Sequence, residues 1–240
     1  MRVALVNLGG NQGKTTLAVN LFAAQMPDAK ILAVETINAA GNDLGAEVEQ
    51  LRGAQFSRIY AELVAAENLI CDVGSSNIED FIDGLSKFED GHDEIDVFVI
   101  PVTSAAKEKK EAIKTALLLS NLDVPSHKIQ FIFNRVTEGV ESEFPEVLNF
   151  VKKEKIAMAN INCWVPDAEF FSLLAEKKIN ISQALRDETD YKSLIKQASA
   201  SGDNRAFDKA MDMLAITKQA KKIDAQLNNV FALLVEQTRV

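Results

Sequence analysis

A lysine and two threonines, Lys14-Thr15-Thr16, stand directly after the glycine-rich run Leu8-Gly9-Gly10-Asn11-Gln12-Gly13. These residue types in this order suit the binding of a phosphate chain. Glycines let the backbone turn tightly and expose its amides. A lysine placed after them can reach the β- and γ-phosphates, and the Thr15 hydroxyl is a hard oxygen ligand for Mg²⁺. The usual pattern has a glycine six residues before the lysine; here that position is Leu8.

Such a loop works only if a strand delivers the chain and a helix carries it away. Val3 to Asn7 is an apolar run of strand length, and Leu17, Ala18, Leu21 and Phe22 begin a helical period. The amides at that helix's N-terminus, with its dipole, favour an anion. The expected cofactor-binding residues are therefore Gly10, Asn11, Gln12, Gly13, Lys14, Thr15 and Thr16.

Further runs alternate between strand and helix. Strands are expected at Ile31–Val34, Asn68–Val73, Ile95–Val102, Lys128–Phe133 and Ile161–Val165. Helices are expected at residues 17–25, 43–66 with Gly53 as a point where it can break, 78–88, 105–122 and 143–155, with a loop over 36–42. The strands are apolar on both faces, which predicts an α/β, doubly wound, mostly parallel sheet with helices on both sides. Ligands of such sheets bind beyond the C-terminal strand ends. Polar residues gather there: Glu35, Asp72, Thr103, Asn134 and, at the last strand, Pro166.

Asp72, closing an apolar strand before Val73-Gly74, is expected to support the metal together with Thr15. Glu35 is expected to orient a water or the metal, with capping of the next element as its alternative. Asn38, Asn42 and Asp43 are weaker candidates, because turns favour these residues anyway. Asn134 offers an amide to the amino and N7 groups of an adenine, Arg135 a plane to stack on the base, and the backbone near Pro166 and Asp167 the rest of the pocket. Lys14, Glu35 and Asp72 are the candidate catalytic set. Ser75 and Ser76 read as helix caps. Lys107, Lys109 and Lys110 read as a solvated helix face.

After Asp167 the pattern is helical only, with pieces at 168–176, 181–185, 192–200, 205–221 and 223–235. The expected organisation is a phosphate-loop domain over 1–187 and a helical C-terminal extension over 188–240. In the last piece Ile223, Leu227, Val230, Phe231, Leu234 and Val235 share a face. Packing on the core or on a partner is expected. A membrane surface is the weaker reading, because the polar face carries Asp224, Asn228, Asn229 and Glu236 rather than lysines and arginines.

Composition narrows the class. The 240 residues can bury a sizeable core. A net charge of −9 argues against a generally basic nucleic-acid surface, leaving direct DNA contact open only to a local patch. Cys71 and Cys163 lie in apolar runs and read as buried thiols of a reducing compartment. His92 and His127 form no metal-ligand spacing. No leader pattern and no membrane-length apolar run is present, so a cytoplasmic location is expected.

Taken together, VALVNLGGNQGKTT, LICDVG, DVFVIPVT, FIFNRV and WVPD resemble the ParA/MinD group of P-loop ATPases over roughly residues 1 to 185. Within the group, the Gly10–Thr15 loop and the Glu35-Thr36-Ile37-Asn38 segment look like the StbB subfamily of plasmid stability and conjugation proteins. The resemblance implies an ATP- and Mg²⁺-dependent switch in plasmid stability, segregation or positioning, and in conjugative transfer. It implies an ATP-dependent homodimer and a plasmid-encoded DNA-binding partner. By resemblance, Lys14 and Thr15 hold phosphate and Mg²⁺, Asp72 supports the metal, and Asn134 reads adenine. Three departures stand out. The group's cross-dimer lysine would fall at Gly9, and its water-positioning acid near Ile37 or Asn38. The stretch from the second strand to Asp72 is also shorter than usual. Slow hydrolysis is expected, or a stand-in group from a neighbouring subunit. Two other classes compete. One is an ATP-dependent ligase of the dethiobiotin synthetase type, using Thr103, Ser104 and Lys107. The other is a nucleotide-binding adaptor with little hydrolysis.

Overall fold

The computed structural model describes residues 1–35 and 45–238. Asn38, Asn42 and Asp43, and the segment Thr36-Ile37 between them and Glu35, lie outside the described residues.

Among the described residues, seven strands form one all-parallel sheet: β1 (Arg2–Leu5), β2 (Lys30–Val34), β3 (Glu49–Leu51), β4 (Leu69–Val73), β5 (Val97–Val102), β6 (Ile129–Val136) and β7 (Trp164–Pro166). Their order is β3-β2-β4-β1-β5-β6-β7. The phosphate-type loop thus leaves the central strand, between β4 and β5. Every residue of β4 and β5 is buried, as expected of strands covered on both faces.

Two apolar layers cover the sheet. One contains Phe56, Phe81, Phe98, Phe131, Phe133 and Phe144. It is roofed by α3 (Phe56–Ala65), α4 (Ile78–Ser86), α5 (Ala106–Ser120) and α7 (Pro145–Glu154). The other contains Leu17, Leu21, Phe22, Val165 and Phe170. Its roof is the helix after the loop, together with α8 (Glu169–Lys177), α9 (Ile181–Arg186) and α11 (Asn204–Gln237). The first helix begins as α1 (Lys14–Leu17), widens into a π turn (Ala18–Phe22) and ends as α2 (Ala23–Gln25).

Several elements differ from the sequence expectation. The helix expected over 43–66 contains a strand: β3 adds to the sheet edge by pairing with β2, and the helix starts only at Phe56. Three residues of strand carry too little periodicity to be seen, and pairing decides their shape. The helix expected over 143–155 is α7, which starts at Pro145 because proline begins a helix well, and the short α6 (Val140–Glu143) precedes it. The pieces expected at 205–221 and 223–235 are one helix, α11; no Gly or Pro separates them. Its partner α10 (Tyr191–Ser201) ends at Gly202, with φ +70°, and the Asp203 side chain caps α11 by accepting from the Ala206 amide at 3.0 Å.

The apolar face of α11 is spent on its own chain. Leu227, Val230 and Leu234 are fully buried in the layer that also holds the first helix. Phe231 meets Phe22 edge to face at 6.1 Å. The Gln226 side chain donates to the Trp164 carbonyl at 3.0 Å, and Gln130 donates to that of Leu234 at 3.3 Å. Among the described residues, no helix is long and apolar enough to cross a membrane.

Candidate phosphate-loop site

The loop between β1 and α1 is tied down from outside. Asn7, fully buried at the end of β1, donates to the Pro101 carbonyl at 2.7 Å and accepts the Gly9 amide at 2.7 Å. Thr115 on α5 accepts the Leu8 amide at 3.0 Å. Asn134, at the end of β6, donates through Nδ2 to the Gln12 carbonyl at 2.8 Å. The amides of Leu8 and Gly9 are therefore consumed by protein acceptors. Among the described residues, those of Gly10, Asn11, Gln12 and Gly13 have none. A run of unpaired amides leading into a helix N-terminus is an anion-binding nest.

Gly13 makes the nest possible. Its φ is +80°, and a Cβ there would collide with the Asn134 amide. Asn11 also takes a positive φ, +53°, a conformation that Asn tolerates better than most residues.

Lys14 is buried, and its Nζ donates to the Gly9 carbonyl at 3.2 Å. Burial pushes its pKa down, while Asp72 and Glu35 pull it up. Thr15 Oγ1 donates to Asp72 Oδ2 at 2.6 Å. Asp72 is 3 % exposed, and burial raises its pKa against the opposing effects of Thr15 and Lys14. Register explains the meeting: Asp72 lies opposite Leu5 of β1, the strand that feeds the loop. Glu35 follows β2, whose Val34 lies opposite Val73. Its carboxylate covers Gly74, where a Cβ would sit 3.1 Å from Glu35 Oε1. Burial raises the pKa of Glu35, and so does Asp72. The structure thus gathers Lys14, Thr15, Glu35 and Asp72 at one strand edge. A hydroxyl beside a carboxylate is the oxygen donor set that Mg²⁺ takes, and the open amides fit a phosphate chain.

A groove of about 390 Å³ continues from the loop. Gly13, Thr16, Asn134, Arg135, Pro166 and Phe171 help to line it. Arg135 sits at a shift in the β6–β7 register with φ +57° and reaches Asn11 Oδ1 at 3.4 Å. The Asn134 amide is already engaged on both sides, since its Oδ1 accepts the Arg135 amide at 3.0 Å.

Other expectations fare differently. The Thr103 hydroxyl donates to Gln12 Oε1 at 3.1 Å. Lys109 is no free surface cation, for it binds Glu146 at 2.8 Å and the Glu143 carbonyl at 3.1 Å. Lys107 is 79 % exposed and pairs at 3.7 Å with Glu111. Among the described residues, Thr103 is thus engaged by Gln12 and Lys107 by Glu111. Asn7, Thr115 and Glu111 at the loop lie beyond the sequence expectation, whereas Thr103, expected at this strand edge, does reach the loop through Gln12. Asn7 alone carried a signal, a polar residue closing an apolar strand before the glycines. Glu111 fills the place beside Gly9, where a Cβ would lie 2.5 Å from Glu111 Oε2. A lysine at position 9 would have to displace that carboxylate.

No protein-family model and no curated protein matches the sequence. Solved structures match in shape. Apo McdA from Cyanthece is 16% identical with a TM-score of 0.54, covering 89% of this chain and 98% of that one. The cell division ATPase MinD of Pyrococcus furiosus is 12% identical with a TM-score of 0.54, over 91% and 98%. MinD from Pyrococcus horikoshii, solved with Mg-ADP, is 14% identical with a TM-score of 0.50, over 89% and 93%. The chain has the P-loop fold of MinD/ParA-type ATPases, with a C-terminal helix packed on it.

Proposed function

We propose that the protein binds Mg-ATP at the loop Gly10–Thr16, hydrolyses it slowly, and acts as a ParA/MinD-like switch. One observation carries the reading: open loop amides, Lys14, the Thr15–Asp72 pair and Glu35 meet at one strand edge. The MinD structure holding Mg-ADP supports the choice of ligand.

In this reading Lys14 leaves the Gly9 carbonyl for the β- and γ-phosphate oxygens. Thr15 and Asp72 are the groups that would hold Mg²⁺, which when bound neutralises charge on the phosphates. Glu35 orients the attacking water over Gly74 and accepts its proton. Asp72 is engaged by Thr15, and the family's acid position falls at Ile37 or Asn38, neither of them a carboxylate. Without that acid and without a lysine at position 9, turnover is slow. The groove beyond Gly13 takes the adenosine, with Arg135 against the base and Asn134 and Pro166 forming its walls.

The assignment to plasmid stability, segregation or conjugation rests on the likeness of Gly10–Thr15 and Glu35–Asn38 to the StbB subfamily. An ATP-dependent homodimer, a plasmid-encoded DNA-binding partner and a cytoplasmic location belong to the same proposal. The test is molecular mass by light scattering, with and without Mg-ATP. The wild type should double in mass with nucleotide, and Lys14→Ala should not. The same nucleotide-dependent dimer in Lys14→Ala would refute the switch.

A further inference from the structure

Gln12 is fully buried at the crest of the loop, and its side chain points away from the open amides. Its Oε1 accepts two bonds from Thr103, from the amide at 3.0 Å and the hydroxyl at 3.1 Å. Its Nε2 donates to the Gly10 carbonyl at 3.1 Å. Its own carbonyl accepts from Asn134 at 2.8 Å. At this one residue the chain is fastened to β5, through Thr103 directly after its last residue, and to β6, through Asn134. Only the Gln12 amide is left open.

An apolar side chain of similar size would fill the same space, and a buried amide is tolerated only when satisfied. What the amide adds is geometry. The neighbouring glycines make this segment the costliest kind of backbone to order. Three side-chain bonds from Gln12 order it before any ligand arrives.

We infer that Gln12 is a positioning residue, a latch to Thr103 that holds the amides of Gly10–Gly13 ready for a di- or triphosphate chain. The inference rests on the nucleotide-site reading above. It acts on the phosphate grip and not on the base, so ADP and ATP should lose affinity together.

The test is calorimetric titration of Mg-ADP and Mg-ATP into Gln12→Leu, Thr103→Val and Thr103→Ser, beside wild type and Lys14→Ala. Thermal unfolding of each nucleotide-free protein is recorded too. Gln12→Leu should weaken both nucleotides about tenfold, as expected when hydrogen bonds worth roughly 1 kcal/mol each are lost. Its melting temperature should fall by a few degrees, so binding is measured well below the transition. Thr103→Val should weaken both by a smaller factor and Thr103→Ser should restore them. The double variant Gln12→Leu/Thr103→Val should bind no worse than Gln12→Leu alone. If Lys14→Ala loses binding while Gln12→Leu binds like wild type, the latch is wrong and the site stands. If wild type and Lys14→Ala bind alike, the site reading fails and the latch with it. Should Gln12→Leu not fold, the Thr103 pair decides, and equal affinities of Thr103→Val and Thr103→Ser overturn the latch.

Discussion

Gly13 and Asn134 are interlocked: the amide that fixes the loop carbonyl at 12 occupies the space a Cβ at 13 would need. Gly13→Ala should therefore destabilise the protein by about 1–2 kcal/mol, the ordinary cost of a side chain in the left-handed region. Chemical denaturation measures this, and nucleotide affinity should fall in the same variant because Asn134 must move. Asp72 makes the opposite kind of prediction. Its pKa is raised by burial in the folded chain, although Thr15 and Lys14 counteract. A group so shifted contributes most stability below its unfolded pKa and loses it as pH rises through the folded one. Where it is charged, the buried carboxylate is a cost, shared with Glu35, whose pKa is raised as well. Asp72→Asn should stabilise the nucleotide-free protein by roughly 1 kcal/mol at neutral pH, in the range seen when a functional constraint is relaxed. The gain should shrink on acidification, and metal-dependent nucleotide binding should be lost. Lower stability of Asp72→Asn at neutral pH would contradict the burial argument.

At the scale of elements, the first helix and α11 hold one another in place. Phe22 lies in the π turn of the first and touches Phe231 of the second. Leu227 is fully buried in the same layer. Leu227→Ala should cost about 2–5 kcal/mol, as buried leucine truncations do, read as a shift in the denaturation midpoint with slope unchanged. What could be read from sequence follows from range. The strand–loop–helix around Lys14 is local, so its residue types announce it, and Asp72, Glu35 and Asn134 each close an apolar run. The ties that shape the loop are not local: Gln12 reaches Thr103 over 91 positions and Leu8 reaches Thr115 over 107. No spacing in the chain encodes those contacts. β3 was hidden for the same reason, since pairing with β2 outweighs a helical pattern. The unbroken α11 was legible in principle, because nothing between Lys221 and Ile223 breaks a helix.

At the scale of the molecule, a doubly wound sheet brings the ends of β2, β4, β5 and β6 to the loop that leaves central β1, and the C-terminal helix closes one face of the same core. Leu227, Val230 and Leu234 of α11 are buried in that core. Nucleotide binding at this strand edge is the property on which the switch depends. The most direct measurement is calorimetric titration of Mg-ATP into the wild type and Lys14→Ala. The account predicts saturable one-to-one binding by the wild type. It also predicts a loss of roughly 10- to 100-fold in Lys14→Ala, the scale of a lost charge-assisted phosphate contact. No saturable binding by the wild type, or equal binding by both proteins, would contradict it.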